Sequence, residues 1–155
     1  MDIDLEKKVI LNVDETWLGM SDFRRRKWRP HRHTNSVAQL PLTPRISMVA
    51  GIDSHGEVFF SLLQSNSNSR TMMLFFKHLI MKLDAERPHW RRTHYLMLDN
   101  ATYHKSTKML KFFKDHAVPV LFTGSYCYDA APCELLFAAF KAADINPRHL
   151  PQSKK

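Results

Sequence analysis

The stretch HYLMLDNATYHKS, His94 to Ser106, decides how this chain folds. Apolar, strand-like residues run directly into Asp99 and Asn100, and a polar turn carrying His104 follows. A strand fixes the position of its backbone while its end stays open to solvent, so α/β sheets gather functional side chains at strand ends. Asp99 is therefore the first candidate for chemistry.

A second segment, KKVILNVDETWLG (7–19), repeats the design. Its apolar, β-branched run from Val9 to Val13 reads as a central strand ending on Asp14 and Glu15. Between the two segments, ISMVAGIDSHGEVFFSLLQ predicts a β-hairpin, with strands at 46–52 and 57–64 joined by Asp53 to Gly56. Asp53 and Glu57 read there as turn and strand residues. SNSNSRTMMLFFKHLIMKLDAE opens with capping residues and spaces Met72, Phe75, Phe76, Leu79, Ile80 and Leu83 along one helical face. Met72, Met73 and Met81 are expected in the core.

After Asp99 the pattern predicts a short amphipathic helix in STKMLKFFKDH, a strand in AVPVLFT, and a closing helix from near Pro132, which suits a first helical turn. The order strand, basic loop, hairpin, helix, strand, helix, strand, helix defines an α/β domain, a mixed sheet flanked by helices. We expect one domain over 1–146, including a basic insertion at 21–45, and a disordered tail at 147–155.

Composition narrows the partners. The 155 residues are 44% hydrophobic, enough for a real core, and Lys and Arg outnumber Asp and Glu by 23 to 15, a formal net charge of +8. That excess points to an anionic partner, nucleic acid being the commonest. Arg24, Arg25, Arg26, Lys27, Arg29 and Arg32 crowd one acid-free run with Trp28, His31 and His33. The cations suit backbone phosphates, Trp28 suits stacking on a base or anchoring the loop, and the run also fits a nuclear import signal. The alternating histidines lack a partnering ligand motif and read as surface residues. Cys127 and Cys133 form no CxxC pair, so a zinc module is not signalled and both read as reduced thiols. No run approaches a membrane span and no signal peptide opens the chain. An intracellular protein is expected, in the nucleus if eukaryotic and otherwise in the cytoplasm.

If the strands bearing Asp14 and Asp99 are parallel neighbours, their carboxylates converge, and Glu134 in the first turn of the last helix can join them. Three such acids repel one another unless a hard, oxygen-seeking cation such as Mg²⁺ or Mn²⁺ neutralises them. Two such ions about 4 Å apart promote phosphoryl transfer. Singly, each acid also has a plain reading as a turn former or a helix-dipole partner.

VDET around Asp14, LDNATYHKS around Asp99 and YDAAPCELLFAAFK around Glu134 together resemble the three acidic motifs of DDE transposases of the mariner-type superfamily. Thirty-four residues separate Asp99 from Glu134, a spacing typical of that group. Asp129, Pro132 and Glu134 keep register with its Ser-Pro-Asp-x-Asn-Pro-x-Glu signature, whereas Tyr128 and Ala131 replace the usual Pro and Asn. KWRPHRHT is similar to the Trp-x-Pro segment that often follows the first acid.

The resemblance spans Val9 to about Ala143. It implies an RNase H-like fold in which Asp14, Asp99 and Glu134 hold two Mg²⁺ ions, with Mn²⁺ able to substitute, cut DNA at transposon ends and join the freed end to target DNA. It further implies support roles for Asn100, orienting Asp99, and His104, near a phosphate or holding the turn. A homodimer on paired ends is implied as well. Lys141, seven residues beyond Glu134, shares its helical face and is expected near DNA. An RNase H-type nuclease and a catalytically idle or domesticated DNA-binding protein are the competing readings. Only 13 residues precede Asp14, which is expected to leave no room for the family's end-recognising helix-turn-helix domains.

Overall fold

The computed structural model describes residues 8–19, 46–64, 66–124 and 131–143. The expected basic insertion at 21–45, the tail at 147–155, and Cys127, Tyr128 and Asp129 lie outside them. The elements are β1 (Val9–Leu18), β2 (Ile46–Asp53), β3 (Val58–Leu63), α1 (Ser69–Glu86), α2 (Trp90–Thr93), β4 (His94–Leu98), α3 (Thr107–Asp115), β5 (Val120–Phe122) and α4 (Pro132–Ala142). Five strands form one sheet in the order β3-β2-β1-β4-β5. β1 is antiparallel to β2 and parallel to β4, so the sheet is mixed, as the sequence order requires.

Side-chain alternation assigns each strand residue to a face. On one face Leu11, Val13, Val49, Phe59, Leu96 and Leu98 pack against α1 and α3. α1 buries Met72, Phe75, Phe76, Leu79, Ile80 and Leu83, the stripe its spacing predicts, and Phe76 meets Phe113 of α3 edge-on at 5.0 Å. Asn68 caps α1, accepting from Arg70 and Thr71 N–H while Thr71 reaches back to Asn68. On the opposite face Met48 and Ala50 of β2 meet Cys133 and Phe137 of α4.

The hairpin turn is held by charge. Asp53, buried at the end of β2, accepts from His55 and Glu57 N–H, and Arg87 just past α1 donates to both Asp53 and Glu57. Burial alone would raise the Asp53 carboxyl, but Arg87 and the two amides outweigh it and hold it below the ordinary value. Gly56, at φ +85°, completes the turn.

Three expectations need correction. β1 does not stop at Val13, because its antiparallel ladder with β2 continues through Asp14↔Ala50 to Leu18↔Ile46. Asp14 therefore lies within the strand. Met81 is 60% exposed, being the residue after Ile80 and so turned off the buried stripe, while Met73 is only partly buried against the core. The short helix α2, anchored by the buried Trp90 whose indole N–H donates to Asp84, was not foreseen.

Candidate active site

The parallel β1/β4 ladder pairs Val9 with His94 and Asn12 with Met97. Carried two residues on, the same offset sets Asp14 level with Asp99. β4 ends at Leu98, whereas β1 continues along β2, so the two acids meet where the strands part.

Glu134 reaches this place through its neighbour. Buried Asn12 of β1 accepts the Cys133 N–H at 3.0 Å, and the Cys133 thiol donates to the Asn12 carbonyl at 3.2 Å. The same Asn12 donates to the Met97 carbonyl of β4. One amide thus ties the start of α4 to both strands that carry the other acids. Burial first, with Asp14 and Glu134 adding, pushes the Cys133 thiol up to about 12. It is an inert packing group.

The electrostatics report the convergence. Burial pushes Asp14 up to about 6, with Asp99 and Glu134 adding repulsion against the lowering effect of the Glu15 N–H, which donates to Asp14 Oδ1 at 2.8 Å. Asp99, about half exposed, accepts from Ala101 N–H at 3.0 Å and pairs with Nδ1 of His104 at 2.7 Å. His104 is fully buried against Tyr103, and burial holds its ring below the usual imidazole value despite Asp99.

The support roles divide differently from expectation. The Asn100 side-chain amide donates to the Thr123 carbonyl beyond β5, not to Asp99. It stitches the ends of β4 and β5, helped by Thr123 N–H on the Leu98 carbonyl. Among the described residues, His104 is the side chain that bonds Asp99. Being buried, it stands behind the acid and not beside a phosphate. Lys141 donates to Thr16 Oγ1 at 2.7 Å, two residues along β1 from Asp14. Arg24, Arg25, Arg26, Lys27, Trp28, Arg29 and Arg32 fall outside the described residues.

Sequence reasoning passed over Asn12 and the placement of Glu15 beside His104. The alternation in NVDE held the signal for both: Asn12 and Asp14 face α4, while Glu15 faces the turn carrying His104.

Among the described residues no three His, Cys, Asp or Glu side chains sit close enough together to hold a metal ion. The donor set nonetheless fits a hard cation: the acids are all oxygen donors, and the repulsion from Asp99 and Glu134 on a half-buried Asp14 is what bound positive charge would relieve.

A family profile described as DDE superfamily endonuclease matches residues 9–155, and the chain belongs to that family. Its fold is the RNase H-like one of the Mos1 transposase catalytic domain. The Mos1 transposase paired-end complex with left transposon end superposes with a TM-score of 0.65 at 23% identity, over 85% of this chain and 40% of that one. The mariner Mos1 paired-end complex with Mg gives 0.64 at 21%, over 88% and 42%. The Mos1 catalytic domain with Raltegravir and Mn gives 0.60 at 19%, over 84% and 57%. The chain thus spans about two fifths of the Mos1 chains in these paired-end complexes. A comparison with curated proteins finds no match. Among the described residues no helix is long and apolar enough to cross a membrane.

Proposed function

We propose that this chain is the catalytic core of a DNA transposase, cleaving DNA strands at transposon ends and joining them to target DNA by divalent-metal-dependent phosphoryl transfer. The observation that carries the reading is the level placement of Asp14 and Asp99 on parallel neighbours, with Glu134 close enough to perturb Asp14.

Asp14, Asp99 and Glu134 would hold Mg²⁺, or Mn²⁺ in its place. When bound, the cations supply charge for an attacking oxygen and a leaving oxygen at phosphorus. The protein's own part is positioning. His104 fixes the Asp99 carboxylate, Asn12 fixes the turn bearing Glu134, and Asn100 holds the strand end. Lys141 and the run Arg24 to Arg32 would neutralise backbone phosphates, with Trp28 stacking or anchoring. DNA is the partner, a second copy of the chain would pair two ends, and a nuclear location follows if the host is eukaryotic. The similar structures are Mos1 paired-end complexes, one with the left transposon end and others with Mn or Mg, which supports this choice for a family member.

A catalytically idle, DNA-binding descendant is the second reading, favoured by the lack of a ready three-ligand group among the described residues. A Mn²⁺ soak followed by anomalous diffraction, paired with nicking assays on DNA carrying transposon ends, separates the two. Metal between the three acids, with cleavage lost in Asp99→Asn but DNA binding kept, supports the transposase core. Carboxylates that stay empty at high Mn²⁺, or cleavage that survives Asp99→Asn, overturns it.

A further inference from the structure

β3 ends the sheet on the side away from β4 and β5. Its residues Val58, Phe60 and Leu62 stand opposite Ile52, Ala50 and Met48 of β2, so they share the face on which α4 packs. α4 covers Met48 and Ala50 but not the row beyond them: Phe60 is 66% exposed, Leu62 54% and Val58 40%. Native edge strands are commonly blunted by charge, proline or a bulge. The run VFFSLL from Val58 to Leu63 holds neither charge nor proline, and its pairing with β2 is unbroken from Ile52↔Val58 to Ser47↔Leu63.

The backbone of the same residues is free. At the hairpin end Asp53 N–H donates to the Glu57 carbonyl at 3.0 Å. Hydrogen-bonded and unbonded pairs alternate along an antiparallel ladder, so Phe59, Ser61 and Leu63 turn their N–H and C=O toward β2. Val58, Phe60 and Leu62 turn theirs outward, and among the described residues no strand pairs with that edge. A cleft of about 270 Å³ lies between β3 and Phe75, His78, Leu79 and Lys82 of α1, which leaves space beside the edge for an arriving strand.

We propose that β3 pairs antiparallel with β3 of a second copy of this chain, about a two-fold axis between the two Phe60 residues. Phe60 then lies opposite Phe60, and Val58 opposite Leu62 of the other copy. Each of these is a hydrogen-bonded pair in which the outward N–H and C=O groups satisfy one another. Every exposed side chain in the row meets an apolar one. No like charges face each other, because residues 58–62 are uncharged and Glu57 is engaged by Arg87 and Lys82 of its own chain. This self-complementary order favours a second copy over an unrelated strand, since one register joins all three apolar residues of each copy. The two sheets become one continuous sheet, and β2 stands between the seam and β1, so both candidate sites stay clear of it. The inference supplies a surface for the second copy invoked under the proposed function. Its test needs neither DNA nor metal, so the two readings fail separately.

The experiment is sedimentation equilibrium of the full 155-residue chain in EDTA, loaded from about 1 µM to about 200 µM so that mass action reveals even a weak dimer. Wild type is expected to pass from monomer to dimer across this range. Phe60→Lys sets two like charges against each other at the axis and is expected to stay monomeric throughout, with a melting temperature near wild type because the side chain is exposed. Cross-linking tests the register without that variant. In a Cys127→Ser background, Cys133 being buried, oxidised glutathione is expected to join Phe60→Cys to itself. Hydrogen-bonded pairs set Cα atoms about 5.5 Å apart, within disulfide reach. Val58→Cys is expected to cross-link poorly alone and readily when mixed with Leu62→Cys. A dimer that persists in Phe60→Lys, or Val58→Cys joining itself as fast as it joins Leu62→Cys, overturns the proposal. So does a wild type that is monomeric at every concentration. Hydrogen exchange at the amides of Val58, Phe60 and Leu62 then identifies the alternative: slow exchange in the monomer means that another segment of this chain covers the edge, and fast exchange means that the edge is open to a different partner.

Discussion

Asn12 and Cys133 stand 121 positions apart in the chain, yet the Asn12 side chain accepts the Cys133 backbone N–H at 3.0 Å. That bond decides where Glu134 sits. Asn12→Ala leaves a buried N–H unpaired and should cost about 1–3 kcal/mol. Cys133→Ala keeps the backbone bond and should cost about 1 kcal/mol, a methyl-sized loss of packing. Calorimetric melting of the two variants checks the order. Divalent-ion affinity should fall only with Asn12→Ala.

The crowded acids predict a pH dependence of stability. Asp14 is raised from 3.8 to about 6 and Glu15 from 4.5 to about 8, so each favours the fold in its protonated form. That contribution is complete below the unfolded values and is lost as pH rises through 6 and then 8. Without divalent ions the chain should be more stable at pH 5 than at pH 8.5, by a difference on the order of 1–3 kcal/mol. Mg²⁺ should reduce the loss, and Asp14→Asn should remove its lower-pH part. Melting temperatures followed across this range in EDTA and in Mg²⁺ test the sign; a melting temperature that climbs with pH contradicts it.

The Arg87 clasp acts at the far end of the sheet from Asp99. Arg87 donates to Asp53 at 2.8 Å, bonds Glu57, and lies 2.9 Å from His94 Nε2 at the start of β4. Arg87→Met strands the buried Asp53 carboxylate and should cost about 2–4 kcal/mol. Mn²⁺ affinity at temperatures where the variant is folded should stay as in wild type. A parallel fall in both would show that the two ends of the sheet are coupled.

The basic run carries a prediction about salt. If Arg24, Arg25 and Arg26 each neutralise a phosphate, replacing all three by Ala should flatten the slope of log K against log salt by roughly 0.9 per lost contact on duplex DNA. Fluorescence anisotropy across a salt series measures this. An unchanged slope removes the segment from the DNA interface.

Most of the sheet was readable because its strands alternate or run apolar between turn residues, and α1 because its six buried residues follow helical spacing without exception. What failed to show was set by distant partners. The end of β1 is fixed by β2, so an apolar run stopping at Val13 could not mark it. Asn100 turns from Asp99 to Thr123, a residue 23 positions away. The three acids were legible as motifs, but Glu15 gains meaning only when the turn after β4 folds back and sets His104 beside it. The sequence patterning of Arg24 to Arg32 speaks of charge alone and carries no position.

The alternation along β1 also makes correct pairing a condition of assembling the candidate site. Leu11 and Val13 are fully buried on one face, and Asn12 and Asp14 are interleaved with them on the other. A slip of one residue against β2 and β4 would turn Leu11 and Val13 toward α4 and drive Asn12 and Asp14 into the oily layer. It would also present Glu15, one methylene longer, at the mouth where Asp14 belongs. Such a misfolded chain would keep every acid and lose the candidate site. The same apolar side chains that stabilise the sheet therefore help to set the geometry of the candidate site, since a one-residue slip would expose them and part Asp14 from Asp99 together.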